Sequence, residues 1–114
     1  MKLLTEEIKA KLPVLYSQEN EKDPMVICKF FDPTGSWTWC GIEGEETDNG
    51  DFLFFGYVIG FEAEFGYFTL SQLTTAKRGV TGLKALPIER DLYFTPCKLS
   101  EVKENHNRER GTHL

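Results

Sequence analysis

The sequence predicts an α+β protein built on a mainly antiparallel sheet of about five strands, with an N-terminal helix and a second short helix. Three observations predict it. Phe52–Leu70, FLFFGYVIGFEAEFGYFTL, is dense in Phe and Tyr and repeats the triplet FGY across a short break. Aromatic and β-branched residues suit a pleated, half-buried surface, and the Glu62-Ala63-Glu64 break is short enough to reverse the chain as a hairpin. Turn signals such as Asp32-Pro33-Thr34-Gly35 and Asn49-Gly50 separate further short apolar runs. Leu4, Ile8, Leu12 and Leu15 recur instead at helical spacing.

In chain order, Thr5 is the candidate N-cap of the first helix, Glu6 and Glu7 favour its positive end, and Pro13 ends it near Lys11 or Leu12. Ser17–Asp23 reads as a polar loop. Pro24–Phe31 reads as one half-buried strand, with Val26, Cys28 and Phe30 on a shared face. Ser36–Ile42 follows as a strand that puts Trp37 and Trp39 on one face and Thr38, Cys40 and Ile42 on the other. Glu43–Asp51, with five carboxylates and no base, reads as an acidic hairpin loop.

Phe52–Phe61 is apolar on both parities, which predicts a central strand covered on both sides. Phe65–Leu70 returns, and Ser71 is the expected cap of a helix running to about Lys77, its apolar face Leu73 and Ala76. Lys77–Leu86 is a basic connector, and Leu86–Phe94 is the last expected strand. Residues 1–102 are expected to form one domain, and Lys103–Leu114 to be a frayed or disordered polar tail.

The chain has 114 residues, 40% apolar and 27% charged, with a net charge of −5. These values fit a soluble globule, and the acidic balance disfavours non-specific binding to nucleic acid. Thr5-Glu6-Glu7 interrupts any signal-peptide core, which predicts a cytoplasmic protein without membrane association. Cys28, Cys40 and Cys97 form no CxxC pair, so reduced core thiols are expected rather than a zinc site or disulfides. His106 and His113 lie apart in the polar tail, and no cofactor or metal is expected.

No nucleotide-binding or hydrolytic motif is present. The candidate site residues are therefore clusters with two readings each. Trp37, Trp39, Tyr57 and Tyr67 form either an aromatic platform for a partner or part of the core. In Leu86–Phe94, a strand places Glu89, Asp91 and Tyr93 on one face and Arg90 on the other. The carboxylates are either a charged corner, with Arg90 contacting a carboxylate or carbonyl, or a cation site for metal-assisted hydrolysis of a nucleotide or nucleic acid.

The segments LLTEEIKAKLPVLYSQENEKDP, WTW, FFGYVIGFEAEFGYFTLSQL and LPIERDLYF, in this order, resemble the domain of unknown function 2958 family. Cys40 departs from the aromatic expected after WTW, and the connector Thr81–Ala85 is longer than usual. The resemblance implies a small bacterial protein of plasmids, conjugative elements and phages, and brings no activity with it. The expected function is a non-enzymatic accessory protein that binds another protein, in defence evasion or element maintenance.

Overall fold

The computed structural model describes residues 1–75 and 87–111. The connector, its segment Thr81–Ala85, Ala76 and His113 lie outside these residues. The elements are α1 (Glu6–Lys11), β1 (Met25–Val26), β2 (Cys28–Phe31), β3 (Thr38–Glu46), β4 (Phe52–Ile59), β5 (Ala63–Thr69), α2 (Leu70–Thr75), β6 (Glu89–Arg90), β7 (Cys97–Lys98) and α3 (Leu99–Gly111). Five strands form one sheet in the order β5-β4-β3-β2-β6, and β1 and β7 pair separately. Neighbouring strands are antiparallel throughout, so the class is α+β.

The FGY repeat is a cross-strand match. Phe55 stands opposite Tyr67, Gly56 opposite Gly66 and Tyr57 opposite Phe65. Parity then sends the glycines to one face of the sheet and all four rings to the other. On the glycine face Gly41, Gly56 and Gly66 form a row beside Cys28, leaving room for the rings of the main core. A Cβ on Gly41 would lie 2.7 Å from the Cys28 Sγ and 3.4 Å from the Phe54 ring. Phe54 meets Phe30 edge-on at 5.6 Å and stacks on Phe68 at 5.0 Å. Leu3, Leu4 and Leu12 cover these rings from the N-terminal side, with Leu73 of α2 joining them.

Several local signals act as their chemistry requires. The Thr5 hydroxyl accepts the Ile8 N–H at 3.2 Å, and the helix ends at Leu12, before Pro13. The Asp32 carboxylate accepts the Thr34 N–H and hydroxyl at 2.9 and 2.8 Å, closing the Asp32–Gly35 turn. For α2 the cap is Thr69 rather than Ser71. The Thr69 hydroxyl accepts the Gln72 N–H, and the Gln72 carbonyl oxygen accepts the Thr69 N–H, at 3.1 and 2.8 Å. This is a reciprocal capping box, and it starts the helix at Leu70.

Four further expectations are corrected. Pro24–Phe31 is two strands, because the chain slips at Ile27, whose N–H bonds the same Gly41 that faces Cys28. Val26 thereby joins a second core with Cys40 and Ile42, while Cys28 and Phe30 stay in the first. β3 runs on to Glu46 instead of yielding to an acidic loop, with a bulge between Gly41 and Glu43. The strand expected over Leu86–Phe94 is confined, among the described residues, to Glu89–Arg90, because Asp91 turns the chain through its bond with Phe94.

The fourth correction is the polar tail, which is helical to Gly111. Its anchor comes from far away in sequence: the Asp23 carboxylate accepts the Ser100 N–H at 2.9 Å and its hydroxyl at 2.6 Å. Leu99 and Val102 then bury themselves in the second core. Beyond them, Arg108 and Glu104 pair at 2.9 Å on the exposed surface.

The glycine row predicts a sharp contrast between cross-strand partners. A Cβ on Gly56 would lie 1.7 Å from the Cys40 carbonyl oxygen, whereas one on Gly66 meets nothing within 4 Å. Gly56→Ala is expected to cost about 3 kcal/mol or more, since backbone must move, and Gly66→Ala to stay within about 0.5 kcal/mol. Urea denaturation of both variants checks this.

The hydrogen bonds from the Ser100 side chain and backbone hold the Asp23 carboxyl below its ordinary value of 3.8. A depressed folded pKa contributes stability that is complete above the ordinary value and is lost as pH falls through the folded one. Asp23→Asn is therefore expected to lower the melting temperature at neutral pH. The difference from wild type should narrow in acid below 3.8, as paired thermal melts would show.

Candidate functional site

The sheet face opposite the main core carries Phe55, Tyr57, Phe65 and Tyr67 as one cluster. Ring centroids are 5.0 Å apart for Phe55 and Tyr67, 5.9 Å for Phe55 and Phe65, and 5.2 Å for Tyr57 and Phe65. α3 covers only the near part of this face, packing Leu99 and Val102 over Cys40 and Ile42. Lys103, one residue further along α3, sets its ammonium 4.6 Å from the Tyr57 centroid and 5.9 Å from that of Phe65. Past that point the cover ends. Phe65 and Tyr67, on the outer strand, are 50% and 51% exposed.

A fifth ring comes from the loop after α1, and Glu43 puts it there. The bulge sends Ile42 and Glu43 to the same face, so the Glu43 side chain is buried at 3% exposure beside the second core. Its two oxygens accept the N–H groups of Tyr16 and Gln18 at 2.9 and 2.7 Å. Tyr16 is held at φ 70°, a left-handed conformation costly for a side chain of this size, and is 64% exposed. Its hydroxyl meets that of Tyr67. This hydrogen bond, partial burial and the negative field of Tyr16, Glu43 and Glu19 push the Tyr67 phenol above its ordinary value.

Between the loop and the rings lies a cleft of about 430 Å³. Tyr16, Phe55, Phe65 and Tyr67 line it with Glu19, Glu21 and Glu43, and among the described residues Lys22 is the one cation in the lining. Such a cleft suits recognition by an aromatic face and negative charge.

The structure separates the four aromatic candidates. Trp37 and Trp39 lie 6.0 Å apart on the core face, whereas Tyr57 and Tyr67 lie on the other, so no single platform forms. Trp39 is buried in the main core, and the Trp37 ring lies against Gly60 and edge-on to Phe61. The strand expected to be covered on both sides, β4, buries Phe52 and Phe54 on one side, whereas Leu53, Phe55 and Tyr57 on the other are only half-buried.

Arg90 stands opposite Phe30, facing a cleft of about 270 Å³ lined also by Glu7, Lys11 and Cys28. Among the described residues no hydrogen bond or ion pair reaches its guanidinium, contrary to the contact expected of it. The neighbouring carboxylate makes contacts instead: Asp91 accepts the Tyr93 N–H at 3.0 Å and lies 3.9 Å from the Lys29 ammonium. Glu89 is half-buried opposite Phe31. Among the described residues no three His, Cys, Asp or Glu side chains are placed to hold a metal ion. All three thiols are free, and burial pushes Cys28 and Cys40 up to about 12, leaving both protonated at neutral pH.

Of the cleft's lining, sequence reasoning singled out Tyr67 alone; Tyr16, Glu43, Phe55 and Phe65 are among the residues it missed. Glu43 was indistinguishable from the solvated carboxylates beside it, and only the paired glycines Gly41 and Gly44 around Ile42-Glu43 hint at a bulge.

Fold and surface together define a small α+β protein with an aromatic, acid-rimmed cleft on a partly covered sheet. The chain belongs to the family described as Protein of unknown function (DUF2958), which matches residues 3–111. No curated protein and no solved structure matches it significantly. Among the described residues no helix is long and apolar enough to cross a membrane.

Removing the Glu43 carboxylate strands two backbone N–H groups. Glu43→Ala is expected to cost about 3 kcal/mol and to speed amide exchange at Tyr16 and Gln18 ahead of the sheet. Hydrogen exchange resolved by residue checks both.

Proposed function

We propose that the chain is a non-enzymatic, cytoplasmic accessory protein of a bacterial mobile element, acting in defence evasion or element maintenance by binding another protein. The observation that carries the binding reading is the uncovered aromatic cluster of Phe65, Tyr67 and Tyr16. Half-exposed rings contiguous with a cleft mark an interaction surface, and Tyr is among the residue types that anchor interfaces. The strained backbone of Tyr16 supports the same surface, since the fold holds a large ring outward at an energetic cost. The mobile-element setting rests on the resemblance of the LPIERDLYF, WTW and FGY-containing segments alone.

Binding is favoured over chemistry by the state of the reactive groups. Asp91 is engaged with Lys29 and the Tyr93 N–H, and the buried thiols stay protonated. Trp39 serves the core rather than an interface, so the first substitutions to test are Phe65 and Tyr67. Tagged wild type and Phe65→Ser/Tyr67→Ser, both confirmed folded by thermal melting, are to be compared in affinity capture from the native host. A partner depleted at least about tenfold by the double substitution is the expected result. A partner captured equally by both would move the interface elsewhere, and turnover of a metabolite or nucleic acid without any partner would replace binding with catalysis.

A further inference from the structure

Building on the binding reading above, we infer that the cleft between the Tyr16–Lys22 loop and the β4–β5 rings receives an arginine side chain from a basic segment of the partner protein. Charge complementarity is the first argument. Among the described residues Glu19, Glu21 and Glu43 face the cleft against Lys22 alone, and the chain as a whole carries −5. Glu43 spends both oxygens on the Tyr16 and Gln18 N–H groups yet still contributes its field, while Glu19 and Glu21 are exposed at the rim.

The second argument is that the same ring cluster already holds a cation. At its inner end the Lys103 ammonium sits over Tyr57 and Phe65, the arrangement by which an aromatic face attracts positive charge. Among the described residues no cation lies over Tyr67 or Tyr16 at the outer end. That end therefore repeats the chemistry of the inner one with the cation supplied from outside.

Size and shape choose the donor. A cleft of about 430 Å³ accommodates a side chain and its flanking backbone rather than a folded domain. A guanidinium is flat and weakly hydrated, so it stacks on Tyr67 or Phe65 while its edge donates to Glu19 or Glu21. An ammonium is more strongly hydrated and lacks the planar fork. Because Phe65 and Tyr67 belong to the outermost strand, a partner segment reaches the cleft without crossing the sheet.

The test uses the full chain and three blocked pentapeptides, Gly-Gly-X-Gly-Gly, with arginine, its neutral isostere citrulline, or lysine at the centre. NMR titration at low salt is expected to shift the Tyr16, Phe65 and Tyr67 resonances with the arginine peptide. Binding should be about tenfold weaker for citrulline and about fivefold weaker in Tyr67→Leu, which keeps apolar volume but loses the π face. Glu19→Gln/Glu21→Gln, exposed and outside the core, should weaken the arginine peptide without affecting the citrulline one. Equal affinity for arginine and citrulline, or shifts confined to the Thr47–Asp51 turn, would overturn the inference. A captured partner that depends on Phe65 and Tyr67 but is not displaced by the arginine peptide also overturns it, while leaving the binding reading standing. Arginine-peptide binding without any captured partner overturns the binding reading and with it the partner segment as donor.

Discussion

The bulge at Ile42-Glu43 is the constraint on which the arrangement of the N-terminal third depends. β2 pairs with β3 only as far as Gly41, so the rest of β3 would present an unpaired edge. The chain after α1 takes that position: the Pro13 carbonyl accepts the Gly44 N–H at 3.0 Å. From there the segment passes from the core face, where Leu12 packs, to the opposite face, where Tyr16 meets Tyr67. Alternation along the strand assigns each carboxylate its side. Glu46 projects to the α1 side and pairs with Lys9 at 3.2 Å, whereas Glu45 and Glu43 project to the other and accept the Leu15, Tyr16 and Gln18 N–H groups. A segment that reads as a solvated acidic loop is a row of acceptors for a chain crossing a sheet edge.

This arrangement also explains why an aromatic surface survives uncovered beside a well-filled core. On the Phe54 face, helices α1 and α2 and the glycine row allow close packing, and four phenylalanines interlock there. Among the described residues the other face has α3, the short β1–β7 pair and the Tyr16 loop above it. α3 carries two buried apolar residues, Leu99 and Val102, in its first turns and is polar afterwards. Lys103 extends the cover by its ammonium alone. The cleft lies where apolar cover from α3 has ended and the loop held by Glu43 begins.

Features of the fold that depend on neighbours in sequence were legible, and those that depend on distant partners were not. Thr5, the Asp32–Gly35 turn and the opposed FGY triplets act within a few residues or one hairpin, so their residue types announce them. The capping box at Thr69 was readable too, because Gln72 stands at the required spacing, but Ser71 offered a competing cap. Nothing near Ser100 indicates that Asp23 secures it, and polar residues after Val102 argue for disorder when that anchor is unknown. The slip at Ile27 and the bulge at Ile42 each reverse a parity, which moved Val26 to the second core and hid the role of Glu43. Trp37 and Trp39 were correctly placed together, yet parity within one strand cannot say which face the tyrosines of another strand will share.

The same distinction governs the candidate site. Its rings belong to one hairpin, and their registry follows from the repeat, but the site exists as a cleft only because Tyr16 is brought across from residues preceding the sheet. Tyr16 pays for a left-handed backbone that glycine would adopt freely, and Glu43 offsets that strain with two charge-assisted hydrogen bonds. A loop needed only to connect α1 to β1 would relieve the strain with glycine or asparagine at this position. Retaining tyrosine places a phenol next to Tyr67 and a ring at the cleft mouth, so the local cost is coupled to the surface chemistry rather than to packing of the core. Buried charge, strained backbone and exposed aromatic side chain therefore form one physical unit.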